Sequence, residues 1–174
     1  MILFSLSAVS CGGGGGGGGS PAGPSGLIAG FVSEPAANVS VSLEKYSVSG
    51  DTVYLAVKIN SVDNVFGANL KIVYDETKAT WGGTWQPGTF LEAGGATNYE
   101  VNLDGSEEEG LLLVGVAGSS EVSGSGTLII IPFRVVAVAS SEITFSTDSK
   151  LRDGTEPIPL EIPVSFTGGT ISGS

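Results

Sequence analysis

The chain contains no histidine, a single cysteine, and only 7 lysines and arginines against 18 aspartates and glutamates. Each shortage excludes something. Without histidine the chain lacks the usual general base at neutral pH, the Ser-His-Asp and Cys-His nucleophile systems, and the commonest transition-metal ligand. One cysteine cannot close an intrachain disulfide. The formal charge of −11 repels nucleic acid and anionic headgroups, so any membrane attachment has to be covalent rather than polybasic. Long apolar runs are missing too. The longest, Leu111 to Val116 and Leu128 to Phe133, have the length of strands and fall far short of a bilayer span. A carboxylate pair of the glycosidase kind is the one catalytic device left, and the acidic residues are scattered over turn-like positions. The composition points to a non-enzyme with no cofactor and no metal centre.

What is present begins at Cys11. An apolar leader, Met1 to Ser10, precedes it, and an unbroken glycine run, Gly12 to Gly19, follows. The tetrapeptide Ala8-Val9-Ser10-Cys11 resembles the acylation site of a bacterial lipoprotein, with a small residue before the thiol. Residues 1–11 then read as a lipoprotein-type signal peptide, although no Lys or Arg opens it. The resemblance implies a lipid on Cys11, an extracytoplasmic location, and a membrane contact through that lipid alone. From residue 12 to 37 the chain is rich in Gly, Pro, Ser and Ala. Such a segment is expected to stay a disordered linker, and about 25 flexible residues span roughly 25–30 Å on average. The pairs Leu27-Ile28 and Phe31-Val32 are its only apolar features.

From residue 38 to 172 short β-type runs alternate with turn residues. Val39, Val41 and Leu43 alternate with serines. Val53, Leu55, Val57 and Ile59 follow the turn Ser49-Gly50-Asp51. Leu70, Ile72 and Tyr74 lie on one face of a third strand, with Asn69, Lys71 and Val73 on the other. This is the period-two signature of half-buried strands. Further strands are predicted near Tyr99–Leu103, Leu111–Ala117, Thr127–Val138, Glu142–Ser146, Ile158–Glu161 and Val164–Ile171. Turns are predicted at Asp104-Gly105, Gly124-Ser125-Gly126 and Asp153-Gly154. No segment carries a helical period. Eight or nine short strands at this spacing predict an all-β, antiparallel β-sandwich.

Several segments are similar to those of cohesin domains. Val65-Phe66-Gly67-Ala68-Asn69-Leu70-Lys71-Ile72-Val73-Tyr74-Asp75 resembles the family's third strand with its terminal Tyr-Asp. Gly88-Thr89-Phe90-Leu91 resembles its Gly-x-Phe-Leu segment. Gly124-Ser125-Gly126-Thr127-Leu128, leading into Ile131-Pro132-Phe133-Arg134-Val135, resembles its Gly-x-Gly-x-Leu and Phe-x-Val strand. Leu151-Arg152-Asp153-Gly154 and Gly169-Thr170-Ile171 match the last two elements. Glu76 stands where the family often has Pro, and Ala79 where it has Leu. The resemblance implies a nine-stranded jelly roll whose flat sheet face binds a dockerin, a small helical module carrying its own calcium.

On that basis Asn69, Lys71 and Val73 are candidate partner-binding residues, with Leu113, Gly115 and Ala117 beside them. The apolar members would make a level patch for a partner, unless a loop of the same chain covers it. A carbohydrate-binding module on the same architecture is the alternative. Trp85 and Tyr99 are then the sugar-stacking candidates, while Trp81 and Phe90 match core positions. A self-associating surface protein is a third reading. Glu107-Glu108-Glu109 reads as a solvated acidic turn, because consecutive carboxylates do not converge on a cation.

Overall fold

Alternating apolar residues need a second apolar surface to cover them, and here the chain supplies it by folding one sheet over itself. A computed structural model describes residues 26–103 and 110–174. Cys11, the leader, the glycine run, Asp104-Gly105 and Glu107 to Glu109 lie outside the described residues. Among the described residues there are twelve strands and no α-helix. They are β1 (Ala29–Ser33), β2 (Ser40–Ser49), β3 (Thr52–Tyr74), β4 (Ala79–Trp81), β5 (Gln86–Pro87), β6 (Thr97–Leu103), β7 (Leu111–Val135), β8 (Ser140–Phe145), β9 (Lys150–Arg152), β10 (Glu161–Ile162), β11 (Ser165–Thr167) and β12 (Gly169–Gly173). A single 3-10 turn, Leu91–Gly94, precedes β6.

Two long strands organise the rest. The predicted strands around 53–59 and 69–74 are one strand, β3, and those around 111–117 and 127–138 are one strand, β7. They pair antiparallel along both lengths, Val53 with Phe133 at one end and Ile72 with Leu112 at the other. Between Ile59 and Gly67 the register slips repeatedly, which is how a sheet bends without ending. Ser61 and Asn64 adopt positive φ there, and Gly124 does so opposite them. The backbone N–H of Ser61 donates to Ser125 Oγ at 2.8 Å, and that of Asn64 to Ser123 Oγ at 2.9 Å. Gly124-Ser125-Gly126 is therefore no turn between strands. It is the partner of the bend, and the hydroxyls of Ser125 and the preceding Ser123 satisfy the N–H groups that the slipped ladder leaves without partners.

The bend divides the sheet into two halves. In one, β2 pairs the first half of β3, β11 adds in parallel to β2, and β4 and β5 flank the second half of β7. In the other, β1, β12 and β8 lead to the second half of β3, which β9 also joins, and β6 closes the far side along the first half of β7. Their inward side chains share one core. Leu55, Ile129, Ile131 and Phe133 from the first half and Ile72, Leu112 and Ile143 from the second are all fully buried. Tyr74 meets Phe133 edge to face at 5.0 Å, and burial pushes its phenol up to about 12. The run Leu128 to Ile131 is buried on both faces.

The predicted linker ends earlier than the composition suggests. Ala29–Ser33 is strand β1, paired residue for residue with β12, and Leu27, Ala29 and Phe31 are buried. Their spacing of two puts all three on the inward face, which the exposed apolar neighbours Ile28 and Val32 disguise in the sequence. Ile158 and Leu160 differ in the other direction. They are exposed in a loop, and only Glu161–Ile162 pairs. That loop is held by Asp153, whose Oδ1 accepts from the backbone N–H groups of Thr155 and Leu160.

One ion pair clamps the β2–β3 hairpin onto β7. Arg134 Nε donates to Asp51 Oδ2 at 2.7 Å, and both side chains are less than a third exposed. The hydrogen bond from Arg134 holds the Asp51 carboxyl below its ordinary value, against the opposing pull of burial. A carboxyl depressed on folding contributes stability above its unfolded pKa, and the contribution is lost as pH falls through the folded value. Asp51→Asn is thus expected to cost about 1 kcal/mol at neutral pH. The difference from wild type in urea denaturation should vanish well below about pH 4.

Candidate docking groove

The second half of the sheet turns one face to the core and the other to solvent, and period two decides which residue goes where. On β7, Leu112, Val114 and Val116 are buried, so Leu113, Gly115 and Ala117 point outward and are half-buried. On β3, Leu70 and Ile72 are buried, Asn69 and Val73 are exposed and Lys71 is half-exposed. The six candidate residues therefore share one outward face. The register aligns them in rows. Asn69 stands opposite Gly115, Lys71 opposite Leu113, and Gly67 opposite Ala117.

A third strand completes the surface. Asn98, Glu100 and Asn102 of β6 pair with Ala117, Gly115 and Leu113 in turn, and all three are exposed. The face is consequently a groove and not the level patch expected from the sequence. Its floor is Leu113, Gly115 and Ala117. Asn69 and Lys71 form one wall, and the β6 residues form the other. Two hollows of about 290 and 330 Å³ lie along it and share Asn69, Glu100 and Gly115. No part of the described chain closes over them. Over Leu113 to Ala117 the floor runs roughly 13 Å.

Charges border this groove. Lys71 Nζ meets Asp148 Oδ2 at 2.9 Å, which holds the Asp148 carboxyl below its ordinary value. Ser149 ties the same segment down: its Oγ accepts from the Lys71 N–H at 3.0 Å and donates to the Lys71 carbonyl at 3.2 Å. Beyond β3, Lys150 of β9 pairs with Glu161 of β10 at 2.8 Å. Sequence reasoning missed Asn98, Glu100, Asn102 and Asp148. The first three were legible as a strand, since they alternate with Tyr99, Val101 and Leu103. Nothing local indicated which strand would lie beside them.

Trp85 lines neither hollow, and Tyr99 borders the second while its ring packs against the core. Tyr99 pairs with Val116, on the core-facing register of β6. Its ring lies 4.9 Å from that of Trp85 with 34° between the planes, and its hydroxyl donates to the Gly88 carbonyl at 3.0 Å. Both rings are half-buried against the core. The two aromatic faces cover each other instead of lying side by side as a platform. Gly88 itself lies so close to β7 that a Cβ would fall 2.1 Å from the Thr127 carbonyl oxygen, while Phe90 and Leu91 plug the core below it. Among the described residues no three Cys, Asp or Glu side chains are grouped to hold a metal ion.

An all-β double layer with a solvent-facing groove on one sheet defines a sandwich-type binding module. The Cohesin domain family matches residues 38–171, and the chain belongs to that family. Cohesin modules are non-catalytic protein-binding domains. Solved structures agree with the fold. A type II cohesin domain from the cellulosome of Acetivibrio cellulolyticus shares 20% identity at a TM-score of 0.59, covering 78% of this chain and 95% of that one. A non-cellulosomal cohesin from the archaeon Archaeoglobus fulgidus shares 21% at 0.52, covering 68% and 78%. The sixth cohesin of the Acetivibrio cellulolyticus scaffoldin B, solved in complex with a Cel5 dockerin, shares 19% at 0.54, covering 75% and 96%. No curated protein matches the chain.

Proposed function

We propose that this chain is a non-catalytic recognition module that binds a dockerin-type partner in the groove between β3 and β6, and that a lipid on Cys11 holds it at a bacterial membrane outside the cytoplasm. The observation that carries the first part is the groove itself. A half-buried Leu113 beside Gly115 and Ala117, walled by polar side chains, is an apolar centre with a wet rim. That arrangement suits protein recognition, where a desolvated centre supplies the energy and the rim supplies the register. Membership of the cohesin family, and a relative solved with a dockerin, support the partner class. The leader, the thiol and the glycine run support the anchor.

The test is a calorimetric titration of the chain with each dockerin module encoded by the source organism, with calcium and then with chelator. Saturable one-to-one binding that is lost on chelation is expected. A complete set of calcium-loaded dockerins that all fail to bind would remove the dockerin reading. In cells, Cys11→Ser is expected to move the protein out of the membrane fraction, and an unchanged distribution would remove the anchor.

A further inference from the structure

We infer that the hollow over Gly115 is a seat for one long cationic side chain of the partner, an arginine, with its stem on Leu113 and Gly115 and its guanidinium at Glu100. This rests on the docking reading and names what the groove selects.

The first observation is that Gly115 is a glycine without a backbone reason. A glycine inside a strand weakens it, and usually marks positive φ, a close backbone contact or a ligand's approach. Gly67, in the neighbouring strand, has a steric reason, since a Cβ would sit 2.8 Å from the Val116 carbonyl oxygen. Gly115 has none. Its φ is outside the left-handed region, and a Cβ would meet only Glu100, at an ordinary 3.8 Å. Gly115 lines both hollows, at the point where they meet along the groove. An approaching group is the explanation left.

The second observation is the chemistry around that gap. Glu100 stands directly across from Gly115 and forms no ion pair with any described residue. Asn102 Nδ2 donates to Glu100 Oε1 at 3.1 Å, which orients the carboxylate and leaves Oε2 for an incoming donor. The cation on the opposite wall, Lys71, is engaged by Asp148. Asn69 and Asn98 line the hollow on either side of the gap. A carboxylate held in one orientation suits a planar fork of N–H donors better than a point-charge ammonium. The apolar floor suits the methylene stem that carries it. A carboxylate from the partner would be repelled here, and an apolar side chain would strip water from Glu100 without replacing it.

The test uses the full chain, labelled with nitrogen-15, and two small probes. N-acetyl-arginine methylamide should shift the backbone amides of Glu100, Gly115 and Asn69 with a dissociation constant in the millimolar range. N-acetyl-citrulline methylamide, of the same shape without the charge, should not. Glu100→Gln should weaken the arginine probe about tenfold. Gly115→Val should abolish its binding while leaving the thermal midpoint equal to wild type or higher, because Val suits a strand better than Gly. No shift with the arginine probe, equal shifts with citrulline, or binding retained in Gly115→Val would each overturn the seat. The docking reading stands or falls separately. A dockerin that binds wild type and Gly115→Val equally leaves docking intact and removes the seat. Arginine-probe binding without any dockerin binding does the reverse.

Discussion

Leu113→Asp is expected to abolish partner binding, by a factor of about 100 or more, while the domain stays folded. Leu113 is the largest apolar side chain on the groove floor and is only half-buried in the free chain. Its contribution to folding is correspondingly modest, and the substitution should cost about 1–2 kcal/mol of stability. In a complex the position becomes desolvated. A carboxylate there would be a buried charge with Lys71, already engaged by Asp148, as the nearest cation. Leaving such a charge uncompensated costs several kcal/mol, and 2.7 kcal/mol corresponds to about a hundredfold in affinity. The measurement is calorimetric titration of a dockerin that binds wild type, alongside urea denaturation of both proteins. Val48→Asp, on exposed β2 far from the groove register, serves as the control for added charge. Wild-type affinity in Leu113→Asp would mean that the partner docks on some other surface.

The second large effect concerns the start of the domain. Phe31→Ala is expected to destabilise the fold by about 3–5 kcal/mol, the range for removing a buried aromatic ring. Phe31 is 5% exposed, and its ring tip lies where a side chain at Gly169 would otherwise be. Removing everything before residue 34 should cost as much or more. It takes Leu27, Ala29 and Phe31 from the core together and leaves β12 with β8 as its one remaining hydrogen-bonded neighbour. Were this stretch a linker, both changes would stay within about 0.5 kcal/mol. Equilibrium denaturation separates the two outcomes directly. A functional consequence follows for any tether at Cys11. Any spacer between that residue and the domain is shorter than the Gly, Pro and Ser composition suggests, because residues 29–33 belong to the sheet.

These two cases mark where sequence reading succeeds and where it stops. The alternation at Leu70, Ile72 and Tyr74 against Asn69, Lys71 and Val73 sorted inward from outward residues, and burial follows that division. The same logic assigned Leu113, Gly115 and Ala117 to the solvent side of their strand. It failed at Leu27, Ala29 and Phe31, where the outward neighbours Ile28 and Val32 are equally apolar and the stretch lies among residues typical of linkers. It also failed at Gly124-Ser125-Gly126. Two glycines around a serine signal a turn, and a bend in a continuous strand uses the same conformational freedom. Local sequence cannot tell the two apart, because the difference lies in Ser61 and Asn64 on another strand.

Side-chain periodicity is a property of each strand alone, and so the amino-acid order determined which residues of this protein line the core and which face water. It also determined the charge, the lack of histidine chemistry, and the set of short β runs. Neighbourhood was decided only by the tertiary structure. Any backbone N–H can pair with any carbonyl, so the choice of β6 as the strand beside Leu113, Gly115 and Ala117 came from packing the whole core at once. That choice set Glu100 across from Gly115, and turned a row of small residues into a groove with a charged wall.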